Sequence, residues 1–441
     1  MHTILIMADE KADDGAGSGE QIQEFKLGPD EELRFEVEGI KGQVTTAIMQ
    51  EGMAEVFGTE MVRGREYQFG PGTKMAIFTY HGCAIVLKGK TEFAYVAKET
   101  PMIMYLNAHA ALETMRRTAE SEGKRGPIVA IVGPQDVGKS TLSRLLINYA
   151  VRLGRRPIYV DLDVGQGSIS VPSTVGAMLI ERPASIESGF IQQAPLAYFF
   201  GHTSPQANIP LYNLLVSKLA ETVHERMESN RKAKASGAII NTCGWVKAEG
   251  YRCITHIAQA FEVDVIMVLD QERLYNELSR DMPPFVKVVF LPKSGGVVER
   301  SGSQRHESRD TRIREYFYGK PPAQTFHPHS FQVKLSDAKI FKIGAPAVPQ
   351  SCMPLGMKGD ETRTKLVAVT PTAPALVHRL LAVSFATDET QDEATKTNVA
   401  GFVCVTDVDL EKGRMTVLSP QPSPLPKTLL FLSEIQFMDN Q

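Results

Sequence analysis

Cysteine is scarce in this chain, with five residues in 441. Their number is odd, they are dispersed, and no C-x-x-C spacing occurs among them. Disulfide frameworks and structural zinc sites both need cysteines in paired, closely spaced arrangements. We therefore expect reduced core thiols, and neither a disulfide nor a zinc site, at Cys83, Cys243, Cys253, Cys352 and Cys404.

Long apolar runs are missing as well. The longest ones, such as residues 263–269, have the length of a buried strand, whereas a membrane-spanning helix needs about 20 apolar residues. Residues 1–7 lack the basic flank and apolar length of a signal peptide, so we expect an intracellular protein with no membrane partner. The net charge of −3 means that any nucleic acid must be bound by a local basic patch.

One stretch stands out against this background. Residues 133–141 read GPQDVGKST, which satisfies G-x-x-x-x-G-K-[ST], and they follow the apolar run IVAIV. An apolar stripe after the motif, which ends at Gly154, predicts a helix. A strand, a glycine loop and a helix in this order bind phosphates through backbone N–H groups. The predicted nucleotide-binding residues are Asp136, Val137, Gly138, Lys139, Ser140 and Thr141, with Lys139 at the β- and γ-phosphates and Ser140 on Mg²⁺.

The rest of the pattern predicts an α/β protein whose central P-loop NTPase-type domain has a largely parallel sheet. Residues 1–22 read as a disordered acidic tail, and residues 23–105 as an N-terminal β-sandwich with glycine turns. Strands alternate with helices in the P-loop domain, residues 106–325. Strands no longer alternate with helices in residues 326–441, which are expected to form a C-terminal domain that is α+β or mainly β and has no catalytic motif.

Acidic residues follow a predicted strand at residues 157–161. Ligands bind at the carboxyl ends of the strands in such sheets, which places Asp161 and Asp163 in the site. One of these carboxylates could hold Mg²⁺ through water or accept the proton of a hydroxyl that attacks the γ-phosphate, or both could be solvated turn residues. Asp270, at the end of another strand, competes for the metal role. No N-K-x-D motif follows the strands, which favours ATP over GTP.

Two further features have both a structural and a functional interpretation. Trp245, the only tryptophan, could anchor the core or stack on a nucleobase at the rim of the sheet. Arginines at residues 300–314 are interspersed with acids, so they could form a salt-bridged surface helix or a lid that closes over transferring phosphate.

Several long strings together carry a family resemblance: residues 133–141, VDLDVGQG at 160–167, NTCGWV at 241–246, LPKSGG at 291–296 and REYFYG at 314–319. With them the chain resembles the polyribonucleotide 5′-hydroxyl kinases of the eukaryotic pre-mRNA cleavage complex II and tRNA splicing machinery. The resemblance implies a nuclear, Mg²⁺-dependent kinase that transfers the γ-phosphate of ATP to the 5′-hydroxyl of RNA, and less selectively of DNA. It also implies protein partners, namely subunits of the pre-mRNA cleavage complex and of the tRNA splicing endonuclease.

The same resemblance assigns roles to individual residues. It implies Asp163 as the general base, Ser140 as the Mg²⁺ ligand and Trp245 as the base-stacking platform. Thr203 would contact the substrate, and the lid would contain Arg300, Arg305 and Arg309. Glu32 and Lys74, which otherwise read as solvated strand residues, would bind the adenosine end of ATP.

Two other functions compete with a 5′-hydroxyl kinase. Some relatives bind ATP without turning it over, so the chain could be an ATP-bound structural subunit of an RNA-processing complex. A kinase of small metabolites is the third hypothesis. The presence of Lys139, Ser140, Asp163 and Trp245 favours an active enzyme.

Overall fold

The computed structural model describes residues 21–40, 42–191, 195–320, 324–344, 362–386 and 391–438. This described chain divides into two compact units. The first contains the described residues up to Ala54 together with Met61–Ala97, and the second contains Glu55–Glu60 and the described residues from Lys98 onward. The predicted acidic tail lies outside the described residues except at its end, where Ile22 begins a strand. The domain boundaries after residues 105 and 325 remain predictions.

Among the described residues, nine strands precede the first helix. They are β1 (Ile22–Leu27), β2 (Glu31–Val37), β3 (Thr45–Gly52), β4 (Glu55–Val56), β5 (Thr59–Glu60), β6 (Glu66–Phe69), β7 (Lys74–Thr79), β8 (Cys83–Lys88) and β9 (Thr91–Ala97). In the first unit, one antiparallel sheet has the order β1-β8-β3-β6, and a second has the neighbours β7-β2-β9. Phe35 of β2 meets Phe69 of β6 edge to face, with ring centroids 5.6 Å apart. Side chains from the two sheets therefore fill one core, and the predicted β-sandwich is confirmed.

The second unit contains the P-loop sheet. Its strands are β10 (Ile128–Val132), β11 (Ile158–Asp161), β12 (Thr174–Leu179), β13 (Leu196–Phe199), β14 (Ala238–Asn241), β15 (Val265–Leu269) and β16 (Lys287–Leu291). They are ordered β13-β12-β11-β14-β10-β15-β16. The five strands from β11 to β16 in that order are parallel, which confirms the predicted α/β fold. β10 is buried at every position, as expected for a strand covered on both faces.

Helices flank this sheet. They are α1 (Met102–Glu122), α2 (Lys139–Arg152), α3 (Ile209–Ser229), α4 (Arg231–Ser236), α5 (Glu249–Ala260), α6 (Glu272–Asp281) and α7 (Gly302–Tyr318). The predicted helix after the P-loop is α2, and Gly154 just beyond it has a φ of +79°, the left-handed conformation that ends a helix. Of the helices in the described residues, none has the length and apolar character needed to cross a bilayer.

The sheet is less regular at one edge than expected. β12 runs antiparallel to β11, and β13 runs antiparallel to β12. The sequence pattern had indicated neither strand. Both are short apolar segments without alternation, and tertiary packing covers them: Phe199 of β13 stacks on Phe431 of the C-terminal region at 5.7 Å between ring centroids.

The C-terminal region contains β17 (Gly319–Lys320), β18 (Gln324–Thr325), β19 (His329–Lys334), β20 (Lys339–Ile343), β21 (Leu366–Ala368), α8 (Ala373–Leu376), β22 (Arg379–Ser384), α9 (Gln391–Ala394), β23 (Val399–Asp409), β24 (Arg414–Ser419) and β25 (Leu429–Gln436). Seven of these strands form a mainly antiparallel sheet, β19-β24-β23-β22-β25-β20-β21. Phe402 and Phe431 of this sheet belong to the same buried cluster as Val160 and Ile240 of the P-loop sheet, so one core joins the two sheets.

Four of the five cysteines lie in the described residues. Cys83, Cys253 and Cys404 are buried and Cys243 is partly buried, and none of these four thiols is in a disulfide with another described residue. Cys352 lies outside the described residues. Within the described ranges, no group of three or more His, Cys, Asp or Glu side chains is placed to hold a metal ion.

Candidate active site

The phosphate loop connects β10 to α2 and has the backbone that its glycines permit. Gly133 has a φ of +153°, and a Cβ atom there would lie 2.8 Å from the carbonyl oxygen of Leu269. Gly138, with a φ of +90°, directly precedes the first turn of α2. Side chains are strained in both conformations, so glycine is required for this loop. The N-terminal end of α2 therefore faces the loop and can contribute N–H groups to an anion.

Lys139 is the charged residue of the loop. It is only 7% exposed, and its ammonium donates a hydrogen bond to the carbonyl of Pro134, 2.6 Å away. Burial lowers the pKa of Lys139, against the opposing effects of the nearby groups Asp163, Cys243 and Asp136. The side chain thus crosses its own loop, where it can reach a bound phosphate without a large rearrangement.

Behind the loop, a chain of hydrogen bonds joins α2 to β14, to β11 and to the loop that follows β11. The Ser140 hydroxyl lies 3.5 Å from Oδ1 of Asn241, and Nδ2 of Asn241 donates to Oδ1 of Asp161 at 3.0 Å. Oδ2 of Asp161 accepts bonds from the backbone N–H and the hydroxyl of Ser168, at 2.7 and 2.9 Å. The carboxylate of Asp161 therefore mainly stabilises the loop that follows β11. Asn241 was not predicted as a site residue, although its position at the end of β14 could have indicated it.

Asp163 differs from Asp161 in its hydrogen bonds. Its Oδ1 accepts the backbone N–H groups of Gly165 and Gln166, both at 3.0 Å. No donor among the described residues is bonded to Oδ2. Burial, together with the charge of Asp161, raises the pKa of Asp163 above its usual range, although Lys139 and the two backbone N–H groups oppose the shift. An oriented carboxylate with one available oxygen and a raised pKa is suited to accept a proton.

A third aspartate, Asp270, competed for the metal role. It follows β15 with a φ of +51°, and its carboxylate lies 3.2 Å from the ammonium of Lys293. Unlike Asp161, it has no described hydrogen bond to Ser140 or Asn241. The arrangement favours the Ser140–Asn241–Asp161 group as the place for a divalent cation.

Two arginines, Arg300 and Arg305, contact the phosphate loop through one acidic residue, Asp136. We define the lid as Arg300, Ser301 and α7. Arg300 donates to Asp136 from its backbone N–H at 3.0 Å and from Nε at 3.1 Å, and the guanidinium of Arg305 also pairs with Asp136. Burial alone would raise the pKa of Asp136, but the hydrogen bonds from Arg300 and the charge of Arg305 bring it below its usual value. The lid therefore contacts the motif itself.

The other lid residues are placed differently. Arg309 contacts His306 on the same helix at 3.3 Å and forms no ion pair with the described residues. Arg312 donates to the carbonyl of Ser168 in the loop after β11. The side-chain amide of Gln166 donates to the carbonyl of Arg305 at 3.2 Å, which links the loop after Asp163 to the lid. Gln166 was not singled out from the sequence.

The loop after β14 brings Trp245 to the site. A Cβ atom on Gly244 would lie 2.4–2.8 Å from Gln135 of the phosphate loop, so the two loops are in close contact. Trp245 is partly buried and packs against the main core, and its ring also lies against Gly250. The indole is thus neither wholly buried nor wholly exposed, and part of its surface remains available at the carboxyl edge of the sheet.

Thr203 lies in a neighbouring loop after β13. Its carbonyl oxygen approaches Gly165 so closely that a Cβ atom there would lie 2.8 Å away. Its backbone N–H donates to Oε1 of Glu434 in β25, at 3.2 Å. The structure therefore brings Thr203 next to the loop that holds Asp163. Glu434 is separated from Thr203 by 231 residues and was not predicted.

Glu32 and Lys74 lie in the first unit, on adjacent strands. Glu32 is buried and accepts a bond from Nε of Arg34 at 3.1 Å, and Lys74 pairs with Glu36 at 2.8 Å. In the β2–β7 register Lys74 is opposite Glu36, four residues along the strand from Glu32. Glu32 is therefore not the solvated strand residue that the general pattern suggested. The role of both residues at the adenosine end stays a prediction.

Comparison with known proteins adds the family context. Three family models match the chain: an N-terminal β-sandwich domain of polyadenylation factor at residues 26–119, a CLP1 P-loop of mRNA cleavage and polyadenylation factor at residues 133–319, and a pre-mRNA cleavage complex II protein Clp1 at residues 326–439. Together they cover most of the sequence.

Individual relatives match over nearly their whole length. The chain is 61% identical over 417 residues to "Protein CLP1 homolog" of Culex quinquefasciatus, covering 95% of this chain and 97% of that protein. It is 58% identical to "Polyribonucleotide 5'-hydroxyl-kinase Clp1" of Gallus gallus, covering 97% of this chain and 99% of the relative, and 59% identical to the human protein of the same name, covering 94% and 96%. A solved wild-type Clp1p–Pcf11p complex has the same fold, with a TM-score of 0.81 at 23% identity over 95% of this chain and 98% of that one.

Proposed function

The chain belongs to the Clp1 family of pre-mRNA cleavage complex II proteins, and on the basis of its site we propose that it is an ATP-dependent polyribonucleotide 5′-hydroxyl kinase. Relatives that share more than half of its sequence carry that activity in their names. The observation that supports the proposal best is the pairing of two groups in one site. Lys139 crosses the phosphate loop, and Asp163, on the neighbouring loop, has one carboxylate oxygen without a described partner.

Asp163 and Lys139 have different roles in the proposed reaction. Asp163 accepts the proton of the RNA 5′-hydroxyl, whose oxygen forms a bond to the γ-phosphorus while the bond from that phosphorus to the β-γ bridging oxygen of ATP breaks. ADP is the leaving group. Lys139 stabilises the negative charge on the transferring phosphoryl group, and such preorganised charge is the main source of catalysis in phosphoryl transfer. Arg300, Arg305 and Arg309 are the proposed lid groups around the same phosphate.

The residues behind the loop fit Mg²⁺, because hard divalent cations prefer oxygen ligands. Ser140 would hold the ion directly, and Asn241 and Asp161 would orient that hydroxyl and bound waters. When bound, the ion neutralises charge on the β- and γ-phosphates. Backbone N–H groups from Asp136 to Thr141 would cradle the phosphates, and Glu32 and Lys74 would bind the adenosine end.

The RNA side of the site includes Trp245 and Thr203. The available face of the indole would stack on the first base, a contact that tolerates any sequence because every base has a π-face. Since the proposed contacts reach a base face and phosphates, a 5′-hydroxyl end of DNA is a further substrate.

We further propose a nuclear location and protein partners of two kinds, the pre-mRNA cleavage complex and the tRNA splicing endonuclease. The proposed partnership with the cleavage complex is supported by the match to a pre-mRNA cleavage complex II model and by the Clp1p–Pcf11p complex of the same fold. The second rests on the sequence resemblance alone.

Incubation with γ-labelled ATP, Mg²⁺ and a 5′-hydroxyl oligoribonucleotide tests the proposal. We expect label at the 5′ end, no label on an oligoribonucleotide that already carries a 5′-phosphate, and a loss of at least about 100-fold in Lys139→Ala. A chain that binds ATP and partners but labels no RNA would instead be a structural subunit. Transfer to small metabolites but not to RNA would support a metabolite kinase.

A further inference from the structure

The C-terminal sheet reaches the proposed substrate loop through one carboxylate. Glu434 of β25 uses both oxygens: Oε2 lies 2.7 Å from Nδ1 of His202, and Oε1 accepts the backbone N–H of Thr203 at 3.2 Å. The Glu434 side chain is 44% exposed and that of His202 is 15% exposed. Two donors on consecutive residues therefore converge on a single side chain.

Backbone contacts hold the start of the same loop. The N–H of Glu434 donates to the carbonyl of Gly201 at 3.1 Å, and the hydroxyl of Ser433 lies 3.4 Å from that carbonyl. Gly201 has a φ of +88° and donates its own N–H to the carbonyl of Ser173 at 3.1 Å. Gly201 is thus fixed without the Glu434 side chain, whereas the His202 ring and the Thr203 N–H both form their hydrogen bonds with that carboxylate.

The loop at residues 201–203 also contacts the loop that carries Asp163, the proposed base. The Thr203 carbonyl lies against Gly165, and the N–H of Gly165 donates to Oδ1 of Asp163. A shift of Thr203 would therefore move the substrate loop relative to the proposed base. Misplacement of a substrate by about 1 Å is enough to slow a reaction strongly.

The Glu434 carboxylate is suited to this task because it has one acceptor oxygen for each donor, and its charge adds to the strength of both hydrogen bonds. The hydrogen bond from His202 is the main cause that lowers the pKa of Glu434; burial opposes this shift, and the Thr203 N–H adds to the lowering. Hydrogen bonds to an ionised acceptor are stronger than those between neutral groups.

We propose that Glu434 is a positioning residue for the RNA substrate, which holds residues 202–203 in the orientation that presents Thr203 to the 5′ end. This inference rests on the proposed kinase function. It gives the C-terminal sheet, which carries no catalytic motif, a part in substrate binding. Glu434 touches no reacting atom, so its effect should fall on the use of RNA and not on the use of ATP.

The test compares two variants at this position with a matched control. Glu434→Ala removes both hydrogen bonds. Glu434→Gln retains them, because its amide oxygen can accept the Thr203 N–H while its amide nitrogen donates to Nδ1 of His202. Glu411→Ala is the control, since Glu411 is an exposed glutamate at a turn of the same sheet. Steady-state kinetics with varied RNA and varied ATP, and melting temperatures, are measured for all four proteins.

We expect Glu434→Ala to raise KM for RNA about tenfold, a change of ~1.4 kcal/mol. KM for ATP should stay within about twofold of wild type, and Glu434→Gln should restore most of the RNA affinity. Glu411→Ala should match wild type. A purely structural role would instead lower the melting temperature of Glu434→Ala and leave KM for RNA unchanged, and this result would overturn the inference. So would an equal loss in Glu434→Gln and Glu434→Ala.

Failure of the proposed function is a separate outcome. If wild type labels no RNA, the kinase proposal fails, and fluorescence anisotropy with the same 5′-hydroxyl oligoribonucleotide then decides on Glu434. Weaker binding by Glu434→Ala than by Glu434→Gln would support the positioning role in an RNA-binding subunit. Equal binding by the two variants would refute it.

Discussion

The guanidinium of Arg305 pairs with the carboxylate of Asp136, which joins the lid to the phosphate loop. Arg300 shares the same partner through its side chain and its backbone N–H. Asp136 therefore supplies negative charge to both arginines. If the proposed lid role is right, the γ-phosphate of ATP competes with Asp136 for the two arginines.

Removal of this charge should loosen the lid. In nucleotide-free Asp136→Asn, we expect faster amide hydrogen exchange at residues 300–306 than in wild type, because the ion pairs with Arg300 and Arg305 are lost. Protonation of the Asp136 carboxylate should loosen the lid in the same way. The pKa of Asp136 is lowered in the folded chain, so the pairing is fully present above about pH 4 and is lost as the pH falls through the lower folded value. Hydrogen exchange by mass spectrometry measures both effects. Equal exchange in mutant and wild type would show that Asp136 does not hold the lid.

The protonation state of Asp163, the proposed general base, should determine how the rate of phosphoryl transfer depends on pH. Burial and the charge of Asp161 raise the pKa of Asp163, and only the ionised carboxylate can accept a proton. Transfer at saturating substrates should therefore decrease as the pH falls through that raised pKa, at a higher pH than an ordinary carboxyl group would give. The pH–rate profile measures this limb. A flat profile down to the range of ordinary aspartates would argue against Asp163 as the base.

Close packing makes Gly244 sensitive to a single methyl group. A Cβ atom there would lie 2.7–2.8 Å from the backbone N and Cα of Gln135, and overpacking of this kind costs about 1–3 kcal/mol. We expect Gly244→Ala to displace the phosphate loop and to weaken ATP binding about tenfold or more. Gly39→Ala is the matched control, since nothing lies within 4 Å of its Cβ position. Calorimetric ATP titrations of the two variants check the difference, and equal affinities would contradict this packing argument.

Trp245 and Arg309 should differ in how salt affects their contribution to RNA binding. Trp245→Ala should weaken binding by about 1–3 kcal/mol with an almost unchanged salt slope, because stacking releases no counterions. It should also lower the melting temperature, since the indole packs on the core. Arg309 has no described ion pair, so Arg309→Ala should flatten the plot of log K against log salt by ~0.7 for one lost contact to a single-strand phosphate.

Arg231→Ala, an exposed arginine at the start of α4, is the control for the salt experiment. RNA affinities at several salt concentrations and turnover at saturating RNA separate the cases. If Arg309→Ala lowers turnover but keeps wild-type affinity, Arg309 meets only the transferring phosphate. If it matches wild type in both, its side chain belongs to a solvated helix face.

Local sequence predicted the centre of the fold and of the site, but not its edges. The phosphate loop, β10 and α2 follow from glycine spacing and apolar periodicity, which act over a few residues. β13 was not predicted because it is buried against a sheet more than 200 residues later in the chain, as the Phe199–Phe431 stack shows. β12 was not predicted because it packs against α3, which is also outside its own segment. Burial against distant elements leaves no local pattern.

The same reason explains which site residues were missed. Asp136 was predicted as part of the phosphate cradle, yet its pairing with Arg300 spans 164 residues and no spacing rule indicates it. Asn241 reaches Asp161 only because β14 lies between β10 and β11. Asp161 and Asp163 could not be told apart by position, and their different hydrogen bonds distinguish them.

A single-turnover experiment tests the central claim most directly. The wild-type chain and Asp163→Asn are each preloaded with γ-labelled ATP and Mg²⁺ and then mixed with excess 5′-hydroxyl oligoribonucleotide. Asparagine keeps the size of the side chain but cannot accept the proton, so both proteins should hold ATP while only wild type passes label to the RNA. Label that stays on ATP in wild type, or that reaches the RNA equally fast in Asp163→Asn, would contradict the account.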